Sequence, residues 1–124
     1  MFKYFNPNPM NKRVGDCVIR ALSKVLDESW EASYIDLCIQ GYIMSDLPSG
    51  NSVWGEVLKR HGYSRSIITI DDEFYTIKDF CEEYPKGKYV IGTGTHAVAV
   101  VDGDHYDTWD SGDETVLYVW EKKE

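Results

Sequence analysis

The 124-residue chain has no apolar run approaching the ~20 residues that a membrane-crossing helix needs. Its N-terminus, Met1-Phe2-Lys3-Tyr4-Phe5-Asn6-Pro7, lacks the long apolar stretch and small-residue cleavage site of a secretory signal, so a cytoplasmic protein is expected. Basic residues are few: 13 Lys and Arg stand against 21 Asp and Glu, for a net charge of -8, and no Lys/Arg cluster interrupts the acidity. Such a surface repels a phosphate backbone, which argues against nucleic acid as a partner. Cysteines number only 3, Cys17, Cys38 and Cys81, with no close pair. An odd, widely spaced set is no disulfide framework, and each thiol needs its own explanation. Prolines number 4, and there is no repeat, low-complexity tract or linker.

What is present describes one globular domain over residues 1–124, with 43% hydrophobic and 14% aromatic residues. After a turn-like Asn6-Pro7-Asn8-Pro9, the residues Val18, Ala21, Leu22 and Val25 recur at helical spacing. A helix therefore begins at or just before Cys17, with Asp16 as N-cap. A second helix is expected after Ser29, with Trp30, Tyr34, Leu37 and Cys38 on one face. A third runs from a cap at Asn51 or Ser52 through His61 to Gly62. Residues 66–70 have strand composition, and Thr76-Ile77-Lys78-Asp79 reads as a capping box opening a short helix that Pro85 stops. Strands are expected over 88–92, 96–101, 105–109 and 116–120, the middle two joined by the hairpin signal Asp102-Gly103. Helices first and an antiparallel sheet second is the α+β pattern.

Cys17 at a helix start is placed where the macrodipole favours thiolate over thiol, the form that acts as a nucleophile. Position alone equally allows a buried small hydrophobe, the expected fate of Cys38 and Cys81. A nucleophilic thiol needs a base. His61 ends a polar helix and suits a dipole partner, and His105 beside the hairpin turn is expected in solvent. His96, a polar ring opening an apolar strand after Gly92-Thr93-Gly94-Thr95, is the remaining candidate. If Asp102-Gly103 is a two-residue turn, alternation puts His96, Val98, Asp107 and Trp109 on one face, with Asp107 a diagonal neighbour of His96. A three-residue loop would place Asp110 opposite His96 instead, so loop length decides between the two acids.

Gly15-Asp16-Cys17 opening a helix, His96-Ala97-Val98-Ala99-Val100 opening a strand far downstream, and Asp107-Thr108-Trp109 after it together resemble papain-like cysteine peptidases. They are especially similar to the compact domains that remove bacteriocin leader peptides. The chain is also similar to small proteins of phages and gut bacteria, a likeness that implies no substrate. The family resemblance implies a Cys17–His96–Asp107 triad, with Trp109 shielding the acid–imidazole bond. It also implies an oxyanion-stabilising amide six residues before the nucleophile, a place held here by Asn11 where the family has Gln, with Asn8 as the alternative. The backbone N–H of Cys17 is the implied second donor. The chemistry implied is acyl transfer on a peptide or isopeptide bond of a peptide or protein substrate, without a cofactor. Two rivals compete. One is a catalytically silent fold used as a protein-binding or inhibitory module, with Trp30, Trp54, Tyr63, Tyr75 and Trp120 as its surface unless they are core. The other is a metal site of Cys17, His96 and Asp107, which no close-spaced ligand pair supports.

Overall fold

The computed structural model describes residues 1–67 and 75–122. Among them are β1 (Phe2–Tyr4), α1 (Cys17–Val25), α2 (Trp30–Ile43), α3 (Asn51–Arg60), β2 (Tyr63–Ile67), α4 (Ile77–Glu83), β3 (Lys88–Gly92), β4 (Ala97–Val101), β5 (Asp104–Asp107) and β6 (Tyr118–Lys122). The fold is mixed α+β: four helices and one six-stranded sheet of order β1-β5-β4-β3-β6-β2. The expected antiparallel sheet is corrected in one respect. The N-terminal residues form β1, which lies parallel to β5 with Tyr4 opposite Asp107, so the sheet is mixed. Every other strand pairing among the described residues is antiparallel. The expected strand over 66–70 is met by β2 only at Ser66 and Ile67; its remainder lies outside the described residues.

The central strands are apolar on both faces because both faces are covered. Val90, Ala97, Ala99 and Trp120 pack with Leu22, Val25, Leu37, Trp54 and Val57 of α1–α3. Ile91, Val98, Val100 and Val119 pack on the other side with Ile77, Phe80 and Cys81 of α4. Alternate residues of one strand thus enter two cores, and 97–101 reads as an unbroken apolar run instead of an amphipathic one. Trp54, Tyr63 and Trp120 belong to the first core, and so cannot form the aromatic surface that the binding-module reading needed.

Local chemistry sets the element ends. Ser29 caps α2 by accepting from the Ala32 N–H at 3.1 Å. Thr76 and Asp79 form the reciprocal capping box of α4. α3 starts one residue earlier than the sequence suggests, with Gly50 at the N-cap, because Asn51 Oδ1 is taken by Trp54 Nε1 at 3.0 Å. His61 follows α3 and uses Nδ1 on the Val57 carbonyl at 2.8 Å. At the β4–β5 hairpin, Asp102 (φ 49°) and Gly103 (φ 81°) both adopt left-handed backbone, and Val101 pairs with Asp104. That is a two-residue turn, tolerated by Asp and free of strain for Gly.

Candidate active site

Cys17 is the first residue of α1, and Asp16 occupies the N-cap position without capping. Both carboxylate oxygens of Asp16 are engaged elsewhere: Oδ1 bonds Arg20, one turn along the same helix, and Oδ2 accepts from Trp30 Nε1 at 2.8 Å. No side chain caps the N-terminal end of α1, and Gly15, Asp16 and Cys17 there line a cavity of about 450 Å³. The lining is mostly apolar and includes Val18, Leu37, Leu47, Pro48, Trp54 and Tyr118. Cys17, Asn51, Thr95 and His96 also reach it.

His96 sits in the tight β3–β4 connection, one residue before β4. Its carbonyl accepts from the Thr93 N–H at 3.0 Å, and Gly94 takes the left-handed conformation (φ 98°) that the turn requires. The His96 ring lies against the Cys17 thiol on one side. On the other, its Nε2 meets Asp107 Oδ2 at 2.6 Å, which leaves Nδ1 for the sulfur. Trp109 packs over His96 with ring centroids 5.1 Å apart.

Asp107 is the most heavily bonded side chain of the group. Oδ2 also accepts from Ser111 Oγ at 2.7 Å, while Oδ1 accepts from the Thr108 N–H at 2.7 Å and from Arg20 Nη2 at 3.0 Å. Its own backbone is held by the residue after β1, since the Phe5 N–H donates to the Asp107 carbonyl at 2.8 Å. Arg13 also reaches the Thr108 carbonyl.

These contacts set the proton affinities. Burial alone would raise the Cys17 thiol. The His96 ring, the Ala97 N–H and the positive charges of His96 and Arg20 outweigh it and bring the thiol below its ordinary value. Burial alone would lower His96, but its bonds to Asp107 and Cys17 and their negative charges raise it to about 9. Asp107, which burial would push up, is held below the usual carboxylate range by His96, Ser111 and Thr108. The three shifts point the same way, each favouring the charged form of its group: thiolate, imidazolium and carboxylate.

Asn11 and Asn8 are not brought to this cavity. Asn11 is exposed with φ 56°, closing a turn by donating its N–H to the Asn8 carbonyl at 2.9 Å. Asn8 Oδ1 is spent inside the same turn on the Met10 and Lys12 N–H groups. The Asn8-Pro9 turn carries both amides away, so the expected oxyanion role of Asn11 is corrected. The carboxamide that does line the cavity is Asn51.

A second Cys, His and Asp meet on the far side of the sheet. Cys81 Sγ lies 4.0 Å from His105 Nδ1, and His105 Nε2 bonds Asp110 Oδ1 at 2.9 Å. Asp110 therefore serves His105 and not His96. His105, expected in solvent, is 1% exposed, because it points into the core under α4 and against Phe2. Burial raises the Cys81 thiol with little to offset it, so its net shift is opposite to that of Cys17.

Sequence reasoning missed Arg20 and Ser111. Arg20 left a trace, a charge four residues after Asp16 and inside the apolar face of α1 set by Val18, Ala21, Leu22 and Val25. Ser111 left none. Among the described residues, no group of three or more His, Cys, Asp or Glu is arranged to hold a metal ion, and no helix is long and apolar enough to cross a membrane. No protein-family model, curated protein or solved structure matches the chain.

Proposed function

We propose that the chain is a cysteine hydrolase with a papain-like arrangement, cleaving a peptide or isopeptide bond by acyl transfer through Cys17, His96 and Asp107. One observation carries the reading: a thiol with lowered proton affinity, at an uncapped helix start, faces an imidazole whose other nitrogen is held by a buried acid at 2.6 Å, beside an open cavity. The Cys17 thiolate attacks the substrate carbonyl, and the oxyanion forms beside the backbone N–H groups at the start of α1. One such donor contributes roughly 3 kcal/mol to the transition state. His96 gives its Nδ1 proton to the leaving amine, then takes a proton from the water that attacks the thioester. Asp107 holds the ring orientation throughout.

The test is covalent capture. A peptide library carrying acyloxymethyl-ketone electrophiles should yield a mass adduct on Cys17, absent in Cys17→Ala and much slower in His96→Ala. Failure of every library member to react, while iodoacetamide still labels Cys17, counts against a substrate-binding hydrolase.

A second reading is favoured by a different surface. α2 exposes Ile35, Ile39, Tyr42 and Ile43 at helical spacing, and the turn after it exposes Leu47, on a chain of net charge -8. A binding module would hold its partner through this face, and Cys17→Ala would leave that affinity intact.

A further inference from the structure

A carboxylate pressed against an imidazole stabilises the imidazolium, and unopposed it does so too well. A proton held that firmly transfers poorly to a leaving group at neutral pH. Asp107 is not unopposed. Its Oδ1 faces Arg20 Nη2 at 3.0 Å, while Arg20 Nη1 bonds Asp16 Oδ1, and Asp16 Oδ2 is fixed by the Trp30 indole at 2.8 Å. The result is a row of alternating charge: Asp16, Arg20, Asp107, His96, Cys17. Side-chain exposures of 6% for Arg20, 2% for Asp16 and 1% for Asp107 keep water from screening it.

We infer that Arg20 is a positioning residue which, through Asp107, sets the pH range over which His96 holds its proton in the hydrolase proposed above, and that Asp16 sets how much of Arg20's charge Asp107 receives. The geometry gives each group its share. Arg20 presents a rigid fork with one nitrogen to each acid, and its guanidinium cannot lose its charge in the protein. Asp16 immediately precedes Cys17 and lines the same cavity, where an uncompensated carboxylate would oppose the thiolate. Arg20, one turn further along α1, offsets both acids at once. The remaining groups around His96 do not replace it. Cys17 comes from α1, Asp107 from β5, the neutral Trp109 ring from the segment after β5, and the neutral Tyr118 from β6, beneath Arg65 of β2 at 4.8 Å. Among these groups, Arg20 is the permanent cation bonded to Asp107.

The test reads the imidazole directly. In protein with ¹³C-labelled histidine and Cys17→Ser to remove the thiolate, the His96 resonance, assigned by its loss in His96→Gln, is titrated. Arg20→Gln should raise its midpoint by about one unit, the size expected for removing one neighbouring charge. Asp16→Asn should lower it, since Arg20 then pairs with Asp107 alone. Arg20→Lys should fall between Arg20→Gln and the parent. Midpoints unmoved by Arg20→Gln and Asp16→Asn, with only lower melting temperatures, would mean a structural clasp and overturn the inference. If Arg20→Gln fails to fold, Asp16→Asn decides alone: a fall supports the inference, and an unmoved or raised midpoint overturns it. The readout is a proton and not a product. Failed covalent capture therefore strikes the hydrolase reading and not these midpoints, and unmoved midpoints leave that reading standing.

Discussion

His96 Nε2 and Asp107 Oδ2 lie 2.6 Å apart, 11 residues distant along the chain and joined by a hairpin whose turn is Asp102-Gly103. The turn length makes the pairing. With both turn residues left-handed, Val101 meets Asp104, and Asp107 arrives beside His96 as β5 ends. Asp110, three residues further on, meets His105 instead.

The three cysteines should react in a fixed order. Cys17, lowered by His96 and open to the cavity, should alkylate with iodoacetamide even at mildly acidic pH. Cys81, raised by burial, should resist until the protein unfolds. Peptide mapping after timed labelling reads this. His96→Ala should slow Cys17 by roughly tenfold or more, as expected for removing a neighbouring cation. Equal rates at Cys17 and Cys81 in the folded protein would contradict the assignment.

Stability should depend on His96 with a definite sign. Its proton is held more tightly folded, at about 9, than unfolded, at 6.5, so the contribution is complete below pH 6.5 and lost as pH rises toward 9. In Cys17→Ser, where the thiol's share of the upward shift is gone, the melting temperature should still fall as pH rises above 6.5, over a narrower window set by Asp107. Adding His96→Gln should flatten the fall.

Asp107→Asn should be more than a loss of orientation. Arg20 would lose one of its two carboxylates while buried, and removing one partner of a buried ion pair costs about 3–5 kcal/mol. Urea unfolding should show a lower midpoint. A neutral result would mean that Arg20 settles fully on Asp16.

Gly92→Ala should damage the cavity wall. A Cβ there would lie 2.1 Å from the Tyr118 ring, which lines the site. Overpacking of this kind costs about 1–3 kcal/mol, and it should also reduce capture at Cys17. The measurements are thermal unfolding and probe labelling of the same sample.

The legible parts of this molecule were those in which neighbours in sequence do the work. The capping box at Thr76 and Asp79, the helix at Cys17 and the hairpin at Asp102-Gly103 are local, and each was readable from a few residues. β1 was not, because Phe2–Tyr4 owes its strand conformation to β5, whose partner residues stand at 105–107. The burial of His105 is hidden from the sequence for a related reason. Being two residues from a turn suggests solvent, but α4 and Phe2 cover that face from distant parts of the chain. The oxyanion role implied for Asn11 rests on its spacing from Cys17, and spacing is blind to the Asn8-Pro9 turn in which Asn11 is held. Asp16 has the residue type and position of a cap, yet Arg20 and Trp30 outcompete the helix N–H groups for its oxygens.

The parallel pairing of β1 with β5 has a consequence for biosynthesis. β1 must wait for residues 105–107, made about a hundred residues later, and Phe5 cannot brace the Asp107 backbone until then. His96 emerges before its acid, and Cys17 before either. Contacts of such separation form late and slowly. A nascent chain therefore carries its cysteine, and even its first helices, well before the charge row from Asp16 to Cys17 can assemble, so the contacts that lower the Cys17 thiol belong to the folded protein and not to its precursors.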